Sequence, residues 1–360
     1  MANKNLTEAK ATKNDEFYTQ FHDIEMEMEA YLEYNPDVFR NKTILLPCDD
    51  PEWSNFTKYF AAKFEELGIK KLISTSFAPE SKNFKSDYSP LPLELEDPLF
   101  NPQKTAICGK IYTLTHDTNH NGRIDIDDLE WKYLEGTGDF RSAEVTALRD
   151  EADIIITNPP FSLFREFLAW IMEGRKQFAI IGNMNAITYK EVFPLIKDNK
   201  IWLGVPFPSG NAYFRPVQQG DYATGVYDKE TNLVKFRNCI WLTNLEHGRR
   251  HQPLPLMTME DNLRYNKKMK GKKAYDRYDN YDAIEVPYTN AIPSDYNGVM
   301  GVPISFLDKY CPEQFEILGC TESEGKGFSN GLWNKNSGIS QPLIQQRRVY
   351  KRIFIKRANE

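Results

Sequence analysis

The segment Asn158-Pro159-Pro160-Phe161 contains the residue types with the clearest chemistry in this sequence. Two successive prolines hold the backbone extended and have no N–H donors, so their carbonyl groups are available as acceptors. The side-chain oxygen of Asn158 and the carbonyl of Pro159 can accept the two hydrogens of an exocyclic amine, while Phe161 stacks on the base that carries it. Adenine N6 would thereby be drawn toward a tetrahedral, attacking geometry. The segment indicates methyl transfer to such an amine; the alternative is an ordinary proline turn.

Methyl transfer from a sulfonium depends mainly on alignment and a matched polar environment, so it requires neither a Ser/His/Asp triad nor a metal. Two segments offer groups for such a methyl donor. Asp49 and Asp50, within Cys48-Asp49-Asp50-Pro51, can hold a positively charged methionine group or a ribose, or can simply cap a helix. Asp139 can accept from an adenine amine with Phe140 against the ring, or can cap the helix that begins near Ala143. The sequence has no glycine-rich loop to decide between these alternatives.

The elements that would position these segments alternate between strands and helices. Short apolar runs at 43–46, 71–75, 154–157 and 178–181 predict strands, and helical spacing of apolar residues predicts helices at 54–67, 163–172 and 189–196. This order predicts an α/β fold with a doubly wound, mostly parallel, Rossmann-like sheet. Ligands of such sheets bind at the carboxyl ends of the strands, where both the 48–51 and the 158–161 segments lie.

The alternation fades near residue 245. We therefore expect a disordered segment at 1–14, a catalytic domain at 15–245 with a hairpin inserted at about 108–135, and a smaller C-terminal target-recognition region at 246–360. The chain has no apolar signal region and no stretch long enough to span a membrane, which predicts a cytoplasmic protein without membrane contact. Its five scattered cysteines form no Cys-x-x-Cys pair, so we expect neither disulfides nor zinc.

Basic residues are concentrated late in a chain of net charge −6. Residues 264–273 and 347–357 each contain six basic residues, which predicts a localised DNA-binding face, a solvated loop being the alternative for each run. The expected DNA-binding residues are Arg249, Arg250, Arg264, Lys267, Lys268, Arg347 and Arg348.

Residues 117–128 match much of the calcium-loop template, with Asp117, Asn119, Asn121, Asp125 and Asp128 at ligand positions. Strand-like alternation before this loop favours a β-hairpin that turns at Asn121-Gly122 without a metal. His247 and His251 have helical spacing but no third ligand, so we expect a surface pair instead of a metal site.

Taken together, the fragments resemble the EcoRI-type adenine-specific DNA methyltransferase family from residue 15 to about 318. The residues that carry the resemblance lie at 15–20, 48–51, 54–56, 138–142, 157–164, 187–193, 201–205, 239–245 and 295–303. The stretch 78–135 and the tail beyond Gly319 depart from the family pattern, which leaves the DNA target open.

The resemblance implies S-adenosylmethionine as the cofactor and duplex DNA, with a flipped adenine, as the substrate. It places Phe17, Tyr18 and 48–51 on the methionine and ribose side, Asp139 and Phe140 on the adenine side, and 158–161 in the catalytic loop. A cognate restriction endonuclease would be a partner, while the oligomeric state stays open. The alternatives are N6-adenine methylation of RNA, glutamine methylation of a protein, and a non-catalytic DNA- or calcium-binding protein on a decayed scaffold.

Overall fold

The computed structural model describes residues 17–51, 54–78, 97–216, 225–321 and 341–358. The segment 1–14, predicted to be disordered, lies outside the described residues. The chain forms two compact units. The first unit contains the residues up to Asn183 and the segment Gly204–Leu245, and the second contains Met184–Leu203 and the residues from Glu246 onward. The catalytic and recognition assignments of 15–245 and 246–360 remain predictions.

The first unit is a mixed α/β structure. Its helices are α1 (Phe21–Tyr34), α2 (Asn55–Ala62), α3 (Phe64–Leu67), α4 (Pro102–Ile107), α5 (Ala143–Glu151) and α6 (Phe164–Glu173). The strands of its large sheet are β2 (Thr43–Leu46), β3 (Lys71–Thr75), β4 (Lys110–Leu114), β5 (Glu130–Tyr133), β6 (Ile154–Thr157), β7 (Gln177–Asn183) and β12 (Cys239–Thr243).

These seven strands follow the order β5-β4-β3-β2-β6-β7-β12. The pairs β3–β2, β2–β6 and β6–β7 are parallel, whereas β5–β4, β4–β3 and β7–β12 are antiparallel. Every residue of β2 and β6 is buried, as the continuous apolar sequence of a doubly covered parallel strand requires. The sheet is therefore mixed, with a parallel centre and antiparallel margins.

A second sheet of the first unit contains β1 (Phe17–Thr19), β9 (Asn211–Pro216), β10 (Tyr227–Asp228) and β11 (Leu233–Arg237) in the order β1-β9-β11-β10. All of its pairings are antiparallel. Phe214, Val234 and Phe236 from this sheet belong to the same buried core as Ile44 and Ile154. The strand β1 is thereby anchored beside the main sheet.

The second unit contains α7 (Phe193–Lys197), β8 (Trp202–Leu203) and α8 (Met259–Tyr265). Its four-stranded sheet has the order β13-β14-β18-β15, formed by β13 (Ile284–Glu285), β14 (Met300–Pro303), β18 (Arg352–Arg357) and β15 (Phe315–Cys320). A separate two-stranded hairpin consists of β16 (Leu343–Ile344) and β17 (Arg347–Arg348). Among the described residues, no helix has the length and apolar content needed to cross a membrane.

Two predicted elements differ in detail from the structure. The helix predicted at 189–196 begins only at Phe193, because Pro194 lacks an N–H and is tolerated only in a first helical turn. The hairpin predicted at 108–135 is present as β4 and β5, but it extends the large sheet and does not turn tightly at Asn121-Gly122. Residues 115–129 form a long connection instead, organised by side chains that accept backbone hydrogen bonds.

Candidate active site

The two segments with the clearest chemistry leave the large sheet at the same edge. Strands β2 and β6 are parallel neighbours, with Ile44 opposite Ile154 and Leu45 opposite Ile155. Residues 47–51 follow β2 and residues 158–161 follow β6, so both begin at adjacent carboxyl ends. Strand β3 pairs with β2 on its other side and ends there as well. Loops that follow parallel strands therefore converge at this edge, where α/β sheets bind their ligands.

Asp49 and Thr157 connect the two loops directly. Asp49 is 4% exposed, and its Oδ1 accepts a hydrogen bond from the Ser54 hydroxyl at 2.9 Å. The Thr157 hydroxyl lies 2.5 Å from Asp49 Oδ2 and 2.7 Å from the Pro47 carbonyl, and it donates its one proton to either acceptor. The Asp49 carboxylate thus faces the protein. The predicted contact between Asp49 and a cofactor does not fit this burial, whereas Cys48 and Asp50 remain partly exposed.

Hydroxyl groups at the end of β3 were missed by the sequence reasoning. Ser74 donates to the Asp49 carbonyl and lies 3.1 Å from the Thr57 hydroxyl. Thr75 Oγ1 and Thr19 Oγ1 are buried, and among the described residues neither has a hydrogen-bond partner. A buried hydroxyl without a partner is costly, so a polar ligand at this edge would complete its hydrogen bonding. The run Ser74-Thr75-Ser76 at the end of an apolar strand was the available signal.

The segment around Phe17 and Tyr18 lies beside these loops. It forms β1, and the Asn55 amide at the start of α2 donates to the Thr19 carbonyl at 2.7 Å. The Ser54 N–H in turn donates to the Asp50 carbonyl at 2.7 Å. Hydrogen bonds through the start of α2 therefore link the 17–19 segment to the 47–51 loop, and their joint contact with the cofactor stays a prediction. The structure describes the backbone but not the side chain of Phe17.

Gly138 places the Asp139-Phe140 turn against the end of β3. Its φ is +84°, and a Cβ at this position would lie 2.2 Å from the Ser76 carbonyl, so only glycine fits. Hydrogen bonds from Arg141 lower the pKa of Asp139, which keeps the carboxylate charged. Phe140 is 3% exposed and packs edge-on against Phe167 and Trp170. The predicted contact of the Phe140 ring with a cofactor adenine does not fit this burial.

The acceptor geometry expected of Asn158-Pro159-Pro160-Phe161 is partly visible. Asn158 is partly exposed, but its side-chain oxygen Oδ1 is buried, and the Pro160 carbonyl accepts from the Leu163 N–H at 3.0 Å. Pro159 is buried as well, and within the described part of the chain its carbonyl accepts no backbone hydrogen bond. Phe161 is only 8% exposed and contacts Phe214 and Phe236. Its ring mainly anchors the loop in the core, which leaves little surface for the predicted base stacking.

The predicted DNA-binding residues all lie in the second unit. Six of them are exposed: Arg249, Arg264, Lys267, Lys268, Arg347 and Arg348. Arg250 is 4% exposed, its guanidinium lies 3.8 Å from the centre of the Trp202 ring, and it pairs with Glu246. The prediction that Arg250 binds DNA is therefore wrong, because this side chain is buried and its charge is compensated by Glu246.

The two histidines do not form the expected surface pair. His247 is 3% exposed, and its Nε2 lies 2.9 Å from the Leu203 carbonyl. His251 has Glu313 at 2.7 Å from Nδ1 and Glu246 at 3.0 Å from Nε2. Their environments differ because the short 3₁₀ helix Gly248–His251 directs one ring inward and leaves the other partly exposed.

The calcium-like loop uses its ligand-type side chains for its own hydrogen bonds. Asp117 accepts from the N–H groups of Asn121 and Gly122, while Asp128 accepts from those of Thr118, Asn119 and Asp125. Over the described ranges, no three His, Cys, Asp or Glu residues are grouped so that they could hold a metal ion.

Comparison with known proteins assigns the chain to a family. The profile of the family described as adenine-specific methyltransferase EcoRI matches residues 5–358. The chain is 44% identical over 357 residues to the Type II methyltransferase M.EcoRI of Escherichia coli, covering 98% of this chain and 96% of that protein. It is 34% identical to the Type II methyltransferase M.MpnI of Mycoplasma pneumoniae, with 87% and 84% covered. No solved structure matches.

Proposed function

Since the chain belongs to the EcoRI family of adenine-specific methyltransferases, we propose that it methylates adenine N6 at a specific site in duplex DNA, with S-adenosylmethionine as the methyl donor. The observation that carries the proposal is the convergence of the 47–51 and 158–161 loops at adjacent ends of β2 and β6. Such an edge brings a bound cofactor and a substrate amine into alignment, which is the main requirement of this reaction.

The loop after β6 would bind the substrate amine. The Asn158 side-chain oxygen and the Pro159 carbonyl accept the two N6 hydrogens, which favours the nitrogen geometry that attacks a methyl group. The amine lies inside a base stack in duplex DNA, so the adenine must flip out to reach these acceptors. Phe161 holds the loop in the core through Phe214 and Phe236.

The loop after β2 and the ends of β1 and β3 would hold the cofactor. When bound, S-adenosylmethionine supplies a methyl group on a sulfonium. Cys48, Asp50 and Tyr18 are partly exposed at this edge, and the buried hydroxyls of Thr19 and Thr75 would gain polar partners. Asp139, held charged by Arg141, is proposed as the acceptor on the adenine side. Asp49 contributes indirectly by fixing the loop against Thr157.

We further propose that the parallel strands β3-β2-β6-β7 are the centre of a doubly wound, Rossmann-like sheet, and that 246–360 is the target-recognition region. The exposed basic residues of that region would contact DNA. Because the similar proteins M.EcoRI and M.MpnI are named Type II methyltransferases, a cognate restriction endonuclease that acts on the same site is a proposed partner.

The decisive experiment expresses the chain in cells that lack adenine methylation and maps N6-methyladenine in their DNA by single-molecule sequencing. Modification of one defined motif is expected, and Asn158→Ala should abolish it. The proposal is refuted if cells that express the wild-type chain keep unmodified DNA but gain N6-methyladenine in RNA or methylglutamine in protein. Those molecules would then be the substrates.

A further inference from the structure

The second unit carries a tight, exposed β-hairpin formed by β16 and β17, which we name the 343–348 hairpin. Leu343 pairs with Arg348 and Ile344 with Arg347, so Gln345 and Gln346 are the whole turn. Arg347 and Arg348 are predicted to bind DNA, where an arginine has two kinds of partner, the phosphates and the base edges. The hairpin gives grounds to decide between the two.

The turn has a backbone conformation that glutamine rarely adopts. Gln345 has a φ of +49° and Gln346 a φ of +63°. Positive φ at both central residues is the type I′ pattern, in which Asn-Gly and Gly-Gly are preferred because residues with a Cβ are strained there. Backbone strain at a position where glycine or asparagine would be relaxed is often found at functional sites. The two glutamine side chains are therefore candidates for a role other than forming the turn.

The base of the hairpin is held firmly. The Asp279 carboxylate accepts from the N–H of Gln346 at 2.7 Å and from that of Gln345 at 3.3 Å. Asn280 accepts from the Leu343 N–H and donates to the Gln341 carbonyl, each at 2.8 Å. Ile344 and Val349 pack against the core of Tyr278, Tyr281, Ala283 and Phe354. The backbone of the turn is thus fixed before any ligand binds, which lowers the entropic cost of recognition.

The side chains of the hairpin point to solvent with their hydrogen-bonding capacity unused. Gln345, Gln346, Arg347 and Arg348 are exposed, and within the described part of the chain their side chains make no hydrogen bond or ion pair. A carboxamide presents an acceptor oxygen and an N–H donor side by side, which match the adenine N6 amine and N7 respectively, and a guanidinium donates to guanine O6 and N7. Phosphate affinity comes mainly from positive charge, so two neutral carboxamides beside two arginines favour contacts to base edges.

We propose that the 343–348 hairpin enters the major groove of duplex DNA and reads base edges, with Gln345 and Gln346 selecting A·T pairs and Arg347 or Arg348 selecting a G·C pair. A two-stranded β-ribbon has the width that this groove admits. The inference rests on the proposed DNA methyltransferase function and adds to it the element that determines specificity.

The test replaces the turn without destroying it. Gln345→Gly combined with Gln346→Gly keeps a favoured I′ turn but removes both carboxamides, so its melting temperature should equal or exceed that of the wild type. The ratio of kcat/KM between the mapped site and sites with one changed base pair should fall at least about tenfold, the loss expected from one good base contact. Arg277→Gln, which also replaces an exposed residue of the same unit but lies outside the hairpin, should leave that ratio unchanged.

A second pair of variants separates base reading from phosphate binding. Of the single variants Arg347→Gln and Arg348→Gln, the one that removes the guanine contact should relax selection at that G·C pair. If they instead weaken binding to all duplexes equally, with a shallower salt dependence and unchanged discrimination, the hairpin contacts phosphates and the inference is overturned. Unchanged discrimination in the double-glycine variant overturns it as well. Failure of the wild type to methylate any DNA site would refute the proposed function itself, which the mapping experiment detects first.

Discussion

The contact between Thr157 and Asp49 offers a sharp test of how the site is built, because it joins the proposed cofactor loop to the proposed catalytic loop. Thr157→Val removes the hydroxyl with almost no change in side-chain shape. The Asp49 carboxylate is then left at 4% exposure with one hydrogen-bond donor fewer at Oδ2. A hydrogen bond to a charged group contributes about 1.5–3 kcal/mol, and we expect the free energy of unfolding to fall by about that amount.

The effect on activity should exceed the effect on folding. Thr157 immediately precedes Asn158. If the Asp49 carboxylate forms a different hydrogen bond in the variant, the start of the 158–161 loop will therefore shift. A misplacement of about 1 Å in an active site can cost about 100-fold in rate. We therefore expect kcat/KM for methylation of duplex DNA to fall by about two orders of magnitude, with a larger loss in kcat than in cofactor affinity.

Thr157→Ser is the matched control, because it retains the hydroxyl that reaches Asp49. It should keep kcat/KM within a few-fold of the wild type, although it loses a buried methyl group. Urea unfolding followed by tryptophan fluorescence, calorimetry of cofactor binding and tritium transfer to DNA supply the three readouts. If Thr157→Val lowers stability but leaves kcat/KM unchanged, the contact only supports the fold, and our account of loop positioning is wrong.

Three further predictions address chemistry, DNA binding and pH. Asn158→Ala should leave cofactor affinity within a few-fold but lower methyl transfer at least about 100-fold, since a polar contact made in the transition state is lost; equal losses in calorimetry and turnover would place Asn158 in the cofactor site instead. Lys267→Gln, Lys268→Gln and Lys270→Gln together should weaken binding to all duplexes and make the plot of log K against log salt shallower by about 0.9 per lost phosphate contact; an unchanged slope would make this run a solvated loop. Burial raises the pKa of Asp308 to about 6, so the folded state binds the Asp308 proton more tightly than the unfolded state does, and stability should fall as pH rises from about 4 to 6. Asp308→Asn should remove that dependence and raise the free energy of unfolding by up to about 3 kcal/mol at pH 7. Urea titrations at about pH 4 and about pH 7 measure both effects.

The parallel centre of the main sheet was predictable because each of its strands contains a short run of large apolar residues. Residues 43–46, 71–75 and 154–157 were predicted as strands, and the structure confirms them as β2, β3 and β6. The helix predicted at 54–67 is present as α2 and α3, with Ser54 as the N-cap of α2 and Gly68 as the C-cap of α3. The antiparallel margins were not predictable, because the partner of an isolated strand such as Glu130–Tyr133 depends on tertiary contacts that its own sequence does not encode.

The location of the site was predictable, but the direction of its side chains was not. Asp49 and Asp50 have the same chemistry in the sequence, yet one carboxylate points to Ser54 and Thr157 while the other stays partly exposed. Phe140 and Phe161 likewise offered stacking surfaces, and both are largely buried among other aromatic rings. Which face of a short loop is buried depends on elements distant in sequence, here β11 and α6, and no local pattern contains that information.

The charges of the second unit show how an acidic chain can act on a polyanion. Counting basic residues in the sequence overstates the binding face, because Arg250 pairs with Glu246, Arg352 with Glu285 and Lys272 with Asp276. In the described part of the chain, by contrast, Lys267 and Lys270 make no ion pair and are exposed. Only cations that lack an acidic partner release counterions from DNA at full effect. The salt dependence of binding should therefore follow exposed lysines such as these two, and Arg352→Gln, although it removes one of the basic residues of 347–357, should lower stability without altering that slope.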